Sequence, residues 1–213
     1  MTFTRHEDAL VYLVDDDEAI RDALAFLFRS RKLAVAEFPS GEALLAALPL
    51  RPLGCIVMDM RMDGLTGLET FDRLKAAGVT LPVVFLTGHG DVPIAVEALK
   101  KGAADFVEKP FNDNQLVDIV ADCLLRRSEE LCETAERDEL ARKLKSLSDR
   151  EIAVLNLMLE GRLNKQIADD LSISIRTVEV HRARLLEKMG ARNAVELAGV
   201  LKAAGVMPIR RGD

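Results

Sequence analysis

Asp59 ends the apolar run Cys55-Ile56-Val57-Met58, and three distant segments supply what an aspartate needs to carry a phosphoryl group: Asp15 with Asp16, Thr87, and Lys109 followed by Pro110. An acyl phosphate calls for a divalent cation to neutralise the attacking and leaving oxygens, a hydroxyl donor and a fixed ammonium. Carboxylates gathered near Asp59 would otherwise repel, since unit charges ~4 Å apart at an effective dielectric of ~20 interact by about 4 kcal/mol. A hard cation on oxygen ligands resolves the repulsion, and Mg²⁺, which keeps several waters, suits a set of this kind. Asp16 and Asp59 are the expected direct ligands, Asp15 acts through water, and the main-chain carbonyl of Arg61 completes the protein's share. Asp17 is expected to cap the following helix, where an acid favours the dipole.

Such residues converge only if elements of the right kind lie between them. Short apolar runs at Leu10 to Val14, Leu33 to Ala36, Cys55 to Met58, Val83 to Leu86 and Phe106 to Val107 alternate with helical periods near 18–30, 40–48, 67–76, 92–101 and 112–125. Continuous apolar strands alternating with helices predict an α/β fold, a parallel sheet covered on both faces. Right-handed crossovers place all strand C-terminal ends on one edge, where open sheets bind ligands. Asp15, Asp16, Asp59, Thr87 and Lys109 all fall at such ends.

Between Phe111 and Glu160 there is neither Gly nor Pro, and Glu133 with Arg137, Asp138 with Arg142 and Glu139 with Lys143 stand four apart. Residues 126–146 are therefore expected to be a helical linker extending the last helix of the first domain. A second unit opens at Ser148-Asp-Arg-Glu151, a capping box before Ile152, Leu155 and Leu159, and Gly161 stops that helix. Asn164 is expected to cap a short helix over 165–171. A turn at Ser172 to Ser174 and a longer helix from Ile175 to Met189 complete a helix-turn-helix pattern.

On that longer helix, Val178, Leu185 and Met189 share an inner face at 3.6 periodicity, which leaves Arg176, Val180, Ala183 and Glu187 opposite. Val180 then has no core to fill, and a thymine methyl in a major groove would give it a partner. Glu179 is placed to accept from a cytosine amine, and Arg182 or Arg184 to reach phosphate. Lys165 and Thr177 sit near helix starts that meet the DNA backbone. His181 falls toward the inner side.

Composition agrees with a two-domain chain. The 213 residues are 49% hydrophobic and 30% charged, with a net charge of −6. Residues 1–125 carry −8, 126–147 are balanced, and 148–213 carry +2, so the first domain cannot favour DNA electrostatically and the C-terminal part at least does not oppose it. Aromatic content of 4% without Trp argues against a stacking platform for single strands. Cys55, Cys123 and Cys132 have no metal-ligand spacing, and their odd number argues against a disulfide framework. No run approaches the ~18 apolar residues of a membrane span, and the first twenty residues carry acids, so a cytoplasmic chain is expected.

Val11-Tyr-Leu-Val-Asp-Asp-Asp17, Asp59-Met-Arg-Met62, Thr87-Gly-His-Gly-Asp-Val-Pro-Ile-Ala-Val-Glu-Ala98 and Asp105-Phe-Val-Glu-Lys-Pro-Phe111 resemble receiver domains of the FixJ branch of two-component response regulators. Leu147-Ser-Asp-Arg-Glu151, Asn164-Lys-Gln-Ile-Ala168 and Arg176-Thr-Val-Glu-Val-His181 resemble the LuxR-type DNA-binding domain of the same branch. The resemblance implies a flavodoxin-like (βα)5 receiver with strand order 2-1-3-4-5 over 1–125, the linker over 126–146, and the helix-turn-helix domain over 147–213. It implies transfer of a phosphoryl group from a sensor histidine kinase to Asp59 with Mg²⁺, after which Thr87 moves inward and Phe106 follows. The helix from Val92, the strand at 105–107 and the helix from Asn112 form the face through which such receivers dimerise. The implied outcome is homodimer binding to double-stranded DNA, at half-sites about 10 base pairs apart or a multiple of that, and transcription regulation, with activation and RNA polymerase as further expectations.

One position departs from the pattern: the family usually reads Met-Pro-Gly where this chain has Met62-Asp63-Gly64. Losing Pro is expected to loosen the loop that presents the Arg61 carbonyl. Two other readings stay open. A haloacid-dehalogenase-type phosphatase also combines Asp, Thr, Lys and Mg²⁺ on a parallel sheet, although it needs an acid where Arg61 stands. A phosphate-independent dimerisation module is the other, kept in play by Asp63.

Overall fold

The computed structural model describes residues 9–88 and 92–205; His89-Gly90-Asp91 of the receiver-like motif and the ends of both expected domains lie outside them. Two compact units divide the chain between Cys132 and Glu133.

In the first unit the strands are β1 (Leu10–Val14), β2 (Ala34–Phe38), β3 (Gly54–Asp59), β4 (Val83–Thr87) and β5 (Asp105–Glu108). They form one parallel sheet in the order β2-β1-β3-β4-β5. This is the expected flavodoxin-like arrangement. Its helices are α1 (Glu18–Ser30), α2 (Gly41–Ala46), α3 (Gly67–Ala76), α4 (Val92–Lys100) and the first part of α5 (Asp113–Lys145), whose residues from Glu133 onward belong to the second unit. β2 lies slightly later than its apolar run suggested, because Glu37 and Phe38 continue the pairing with β1 on a half-buried edge.

Side chains alternate across the sheet, and each face has its own core. Val11, Leu13, Cys55, Val57, Val84 and Leu86 pack with Phe28 of α1 and Leu116 and Val120 of α5. Tyr12, Val14, Ile56, Met58, Val83 and Phe85 pack with Leu44 of α2, Phe71 of α3 and Ala95 of α4. Because both faces are covered, nearly every residue of β1, β3 and β4 is apolar and buried. Phe85 is fully buried and meets Phe71 edge-on at 5.7 Å; burying such a side chain contributes about 1.5–3 kcal/mol.

The second unit contains α6 (Asp149–Leu159), α7 (Asn164–Leu171), α8 (Ile175–Met189) and α9 (Ala194–Ala203). Its core gathers Leu155, Ile167, Val178, Leu185, Met189, Leu197 and Leu201, with Leu140 of α5. The α6 capping box is formed, Ser148 and Glu151 exchanging both bonds. The expected Asn164 cap is not: Asn164 is already helical, Leu163 takes the cap position, and its N–H donates to Gln166 Oε1 at 2.9 Å. Of the ion pairs expected along α5, Lys143 reaches Glu139 at 3.0 Å, whereas Arg142 Nε donates to the main-chain carbonyl of Asp138. α9 is not among the elements expected from periodicity. Among the described residues no helix is long and apolar enough to cross a membrane.

Candidate functional site

Three strand ends bring one ammonium and three carboxylates together. Lys109, just past β5, places Nζ 3.1 Å from Asp15 Oδ2 and 3.2 Å from Asp59 Oδ2. Carboxylate oxygens of Asp15, Asp16 and Asp59 lie within 4.8 Å of one another. Asp15 is fully buried, Asp59 is half-buried at the end of β3, and Asp16 is exposed. Acids therefore outnumber the single base, and this set of hard oxygens could hold a small divalent cation.

The backbone fixes each member. The Asp15 N–H donates to Phe38 O, its Oδ1 accepts from the Asp17 N–H at 2.9 Å, and Arg21 Nη1 donates to its carbonyl. Asp17 caps α1, accepting from the N–H groups of Ala19 and Ile20. The Lys109 N–H donates to Thr87 O at 2.7 Å, and the Lys109–Pro110 peptide is cis. Burial is the largest influence on Asp59 and pushes its carboxyl above the usual range; the Lys109 charge opposes it and Asp15 adds to it.

Thr87 is fully buried at the end of β4, and its hydroxyl donates to Val107 O at a long 3.5 Å. Phe106 is half-buried against the core on the α3 and α4 side. Arg61 is exposed in the loop leaving β3. That loop, expected to be loosened by the absence of Pro, carries two hydrogen bonds: Asp63 N–H donates to Asp16 Oδ2 at 3.0 Å, and Leu65 N–H donates to Glu42 Oε1 at 2.9 Å.

Glu42 and Gly67 are site-supporting residues that sequence reasoning missed. A Cβ on Gly67 would collide with the Asp59 carbonyl oxygen, so the backbone of α3 approaches the acid closely only because that residue is Gly. No local pattern advertises either contact, since each is made across the sheet edge.

In the second unit, α7 and α8 are joined through Ser172, which adopts the left-handed conformation, and Ser174 caps α8 by accepting from the Thr177 N–H at 3.1 Å. Arg176, Glu179, Val180, Ala183 and Arg184 are exposed on α8, Thr177 and Arg182 are half-buried, and Lys165 is exposed in the first turn of α7. Val178, Leu185 and Met189 face the core, with His181 half-buried. The Thr177 hydroxyl is engaged with Ser174 Oγ at 2.8 Å.

A second missed pair anchors α8. Glu151, 3% exposed, accepts from Lys188 Nζ at 2.8 Å as well as from the Ser148 N–H and hydroxyl. Burial resists its ionisation, yet these donors overcome that cost and hold its carboxyl down at about 2.

Comparison with known proteins supports both halves. The response regulator receiver domain matches residues 11–121, and the bacterial regulatory proteins of the luxR family match residues 145–201. The chain is 52% identical over 190 residues to the C4-dicarboxylate transport transcriptional regulatory protein DctR of Rhodobacter capsulatus, covering 88% of this chain and 96% of that protein. It is 47% identical over 203 residues to the transcriptional regulatory protein FixJ of Azorhizobium caulinodans, covering 95% and 96%. The solved structure of the response regulator StyR is similar with a TM-score of 0.84 at 37% identity over 92% of this chain and 99% of that one. Full-length FixJ from B. japonicum gives 0.59 at 41% identity over 93% and 98%. With relatives spanning the receiver and the LuxR-type domain in the same order, the chain belongs to the FixJ-type two-component response regulators, which regulate transcription.

Proposed function

We propose that Asp59 accepts a phosphoryl group from a sensor histidine kinase and that this modification controls DNA binding by the second unit. The observation that carries the reading is the Lys109 ammonium shared between Asp15 and Asp59, at 3.1 and 3.2 Å, with Asp16 completing the acidic cluster. In the transfer, the N–P bond of the kinase phosphohistidine breaks as an Asp59 carboxylate oxygen forms the new O–P bond. Lys109 stabilises the charge on the transferred group. Asp16 and Asp59, Asp15 through water, and the Arg61 main-chain carbonyl would hold Mg²⁺, which supplies charge neutralisation at the attacking and transferred oxygens.

The long bond from Thr87 to Val107 is a weak tether, so the hydroxyl can turn to a phosphoryl oxygen at little cost. Phe106 then has space to move inward. Val96 and Leu99 are exposed on α4, within the face proposed to join two receivers. In the DNA complex, Val180, Glu179 and Ala183 approach base edges, while Lys165, Arg176, Thr177, Arg182 and Arg184 meet the backbone.

On this reading, residues 1–125 are the receiver, 126–146 a helical linker and 147–213 the DNA-binding domain. The protein works in the cytoplasm as a transcription regulator rather than a turnover enzyme, as an activator that contacts RNA polymerase from a phosphorylated homodimer. Genomic footprinting with and without a small-molecule phospho-donor and Mg²⁺ tests it. Occupancy should rise with the donor for the wild type and not for Asp59→Asn; identical footprints in all four conditions would refute phosphate control.

A further inference from the structure

The loop leaving β3 carries a hydrogen-bond donor that the Met-Pro-Gly pattern cannot have. The Asp63 N–H donates to Asp16 Oδ2 at 3.0 Å, linking the loop after β3 to the acid after β1. Proline has no N–H, so the contact exists only because another residue stands at 63. The donor is also well supported. Leu65, two residues on, is held by Glu42 Oε1, and Thr66 is locked in a capping box with Glu69 at the start of α3.

Its acceptor needs the help more than its neighbours do. Asp15 and Asp59 are each drawn toward Lys109, whereas Asp16 is exposed. An exposed carboxylate that turns freely must give up that freedom when it binds a cation.

We propose that the main-chain N–H of Asp63 is a positioning group for the cation site: by engaging Oδ2 of Asp16, it fixes that carboxylate's rotation and leaves its other oxygen for Mg²⁺. The inference rests on the reading of the acidic cluster as a Mg²⁺ site. Hydrogen-bond partners behind metal ligands typically contribute 10- to 100-fold to affinity, and one exposed N–H belongs at the low end. The Asp63 side chain is a separate matter, because its exposed charge is screened by solvent and salt.

Two substitutions divide the effects. Asp63→Ala removes the carboxylate and keeps the N–H, whereas Asp63→Pro removes both. Calorimetric titration of the full-length protein with Mg²⁺ alone should give an Asp63→Ala affinity within about threefold of the wild type, and an Asp63→Pro affinity weaker by roughly tenfold. Equal affinities for the two variants, or tighter binding by Asp63→Pro, would overturn the proposal. A wild type that does not bind Mg²⁺ would overturn the cation reading itself, and this inference with it.

A measurement on the unsubstituted loop guards against a misfolded Asp63→Pro. The Asp63 amide resonance of the wild type should lie downfield of its position in Asp16→Ala and stay there as Mg²⁺ saturates the site. A resonance indifferent to Asp16→Ala, or one that loses its downfield shift as Mg²⁺ binds, would sink the idea.

Discussion

Lys188 of α8 lies 2.8 Å from the buried carboxylate of Glu151 in the first turn of α6, so the C-terminal end of α8 is bolted to a capping box. The same ammonium donates to Ser146 O at 3.1 Å. The bolt should have a pH signature. Its carboxyl is held at about 2 when folded, below an ordinary value of 4.5, so its contribution is complete above about pH 4.5 and fades as pH falls toward 2. Because Lys188 is partly exposed, Glu151→Gln should cost on the order of 2 kcal/mol at pH 7. In denaturant melts the gap between wild type and variant should narrow from pH 5 to pH 3; a constant gap would contradict the assignment.

Asp59 carries the opposite sign. Its carboxyl is raised, first by burial, so the stability linked to its protonation is present below its ordinary value of 3.8 and lost as pH rises through the folded value. At neutral pH its charge is a burden on the free receiver. Asp59→Asn should therefore stabilise the metal-free protein at pH 7, with less gain near pH 3. Adding Mg²⁺ should raise the melting temperature of the wild type more than that of Asp59→Asn. A variant less stable than the wild type without Mg²⁺ would show that the acid is a net structural support instead.

The strand ends that assemble this site were legible because their signals are local. A run such as Val83-Val84-Phe85-Leu86, short and rich in β-branched and aromatic residues, reads as a strand buried on both faces, and the topology then delivers Thr87 to the same edge as Asp59. Asp17 as a cap and Ser148 with Glu151 as a box were legible for the same reason. Long-range contacts were not. Nothing near Glu42 in the chain indicates that its carboxylate will hold the N–H of Leu65, or that Asp63 will replace a ring with a donor to Asp16. α9 is an intermediate case, since Asn193 with Glu196 offered a readable start: the Asn side chain accepts from the Glu196 N–H at 2.9 Å. A weak apolar period past Gly190 hid that signal.

Ser172 offers a test of the turn between α7 and α8. It sits at φ 53° and ψ 47°, where the Cβ crowds the following carbonyl at a cost of roughly 1–2 kcal/mol. Its neighbours hold it there, with the N–H groups of Ser172 and Ile173 donating to Asp169 O and Ala168 O. Ser172→Gly relieves the crowding but gives the unfolded chain more freedom, so a net gain of about 0.5–1 kcal/mol is expected. Chemical denaturation followed by helix content would measure it, and a loss of stability would mean that the Ser side chain contributes contacts worth more than the strain.

Lys165 and Val180 should fail differently on DNA. Lys165 is exposed in the first turn of α7, where a cation can meet phosphate but reads no base. Lys165→Ala should weaken binding to all sequences alike and reduce the slope of log affinity against log salt by about 0.9. Val180, 43% exposed at the middle of α8, has no charge to contribute. Val180→Ala should leave that slope unchanged and cost about 1 kcal/mol on operators that carry thymine at one position, with little effect where the base differs. Affinities measured at several salt concentrations on footprinted fragments and on single-base variants of them separate the two. If the salt slope falls for Val180→Ala, α8 does not enter the groove along the face that Val180 and Ala183 define; if it stays fixed for Lys165→Ala, Lys165 does not meet phosphate.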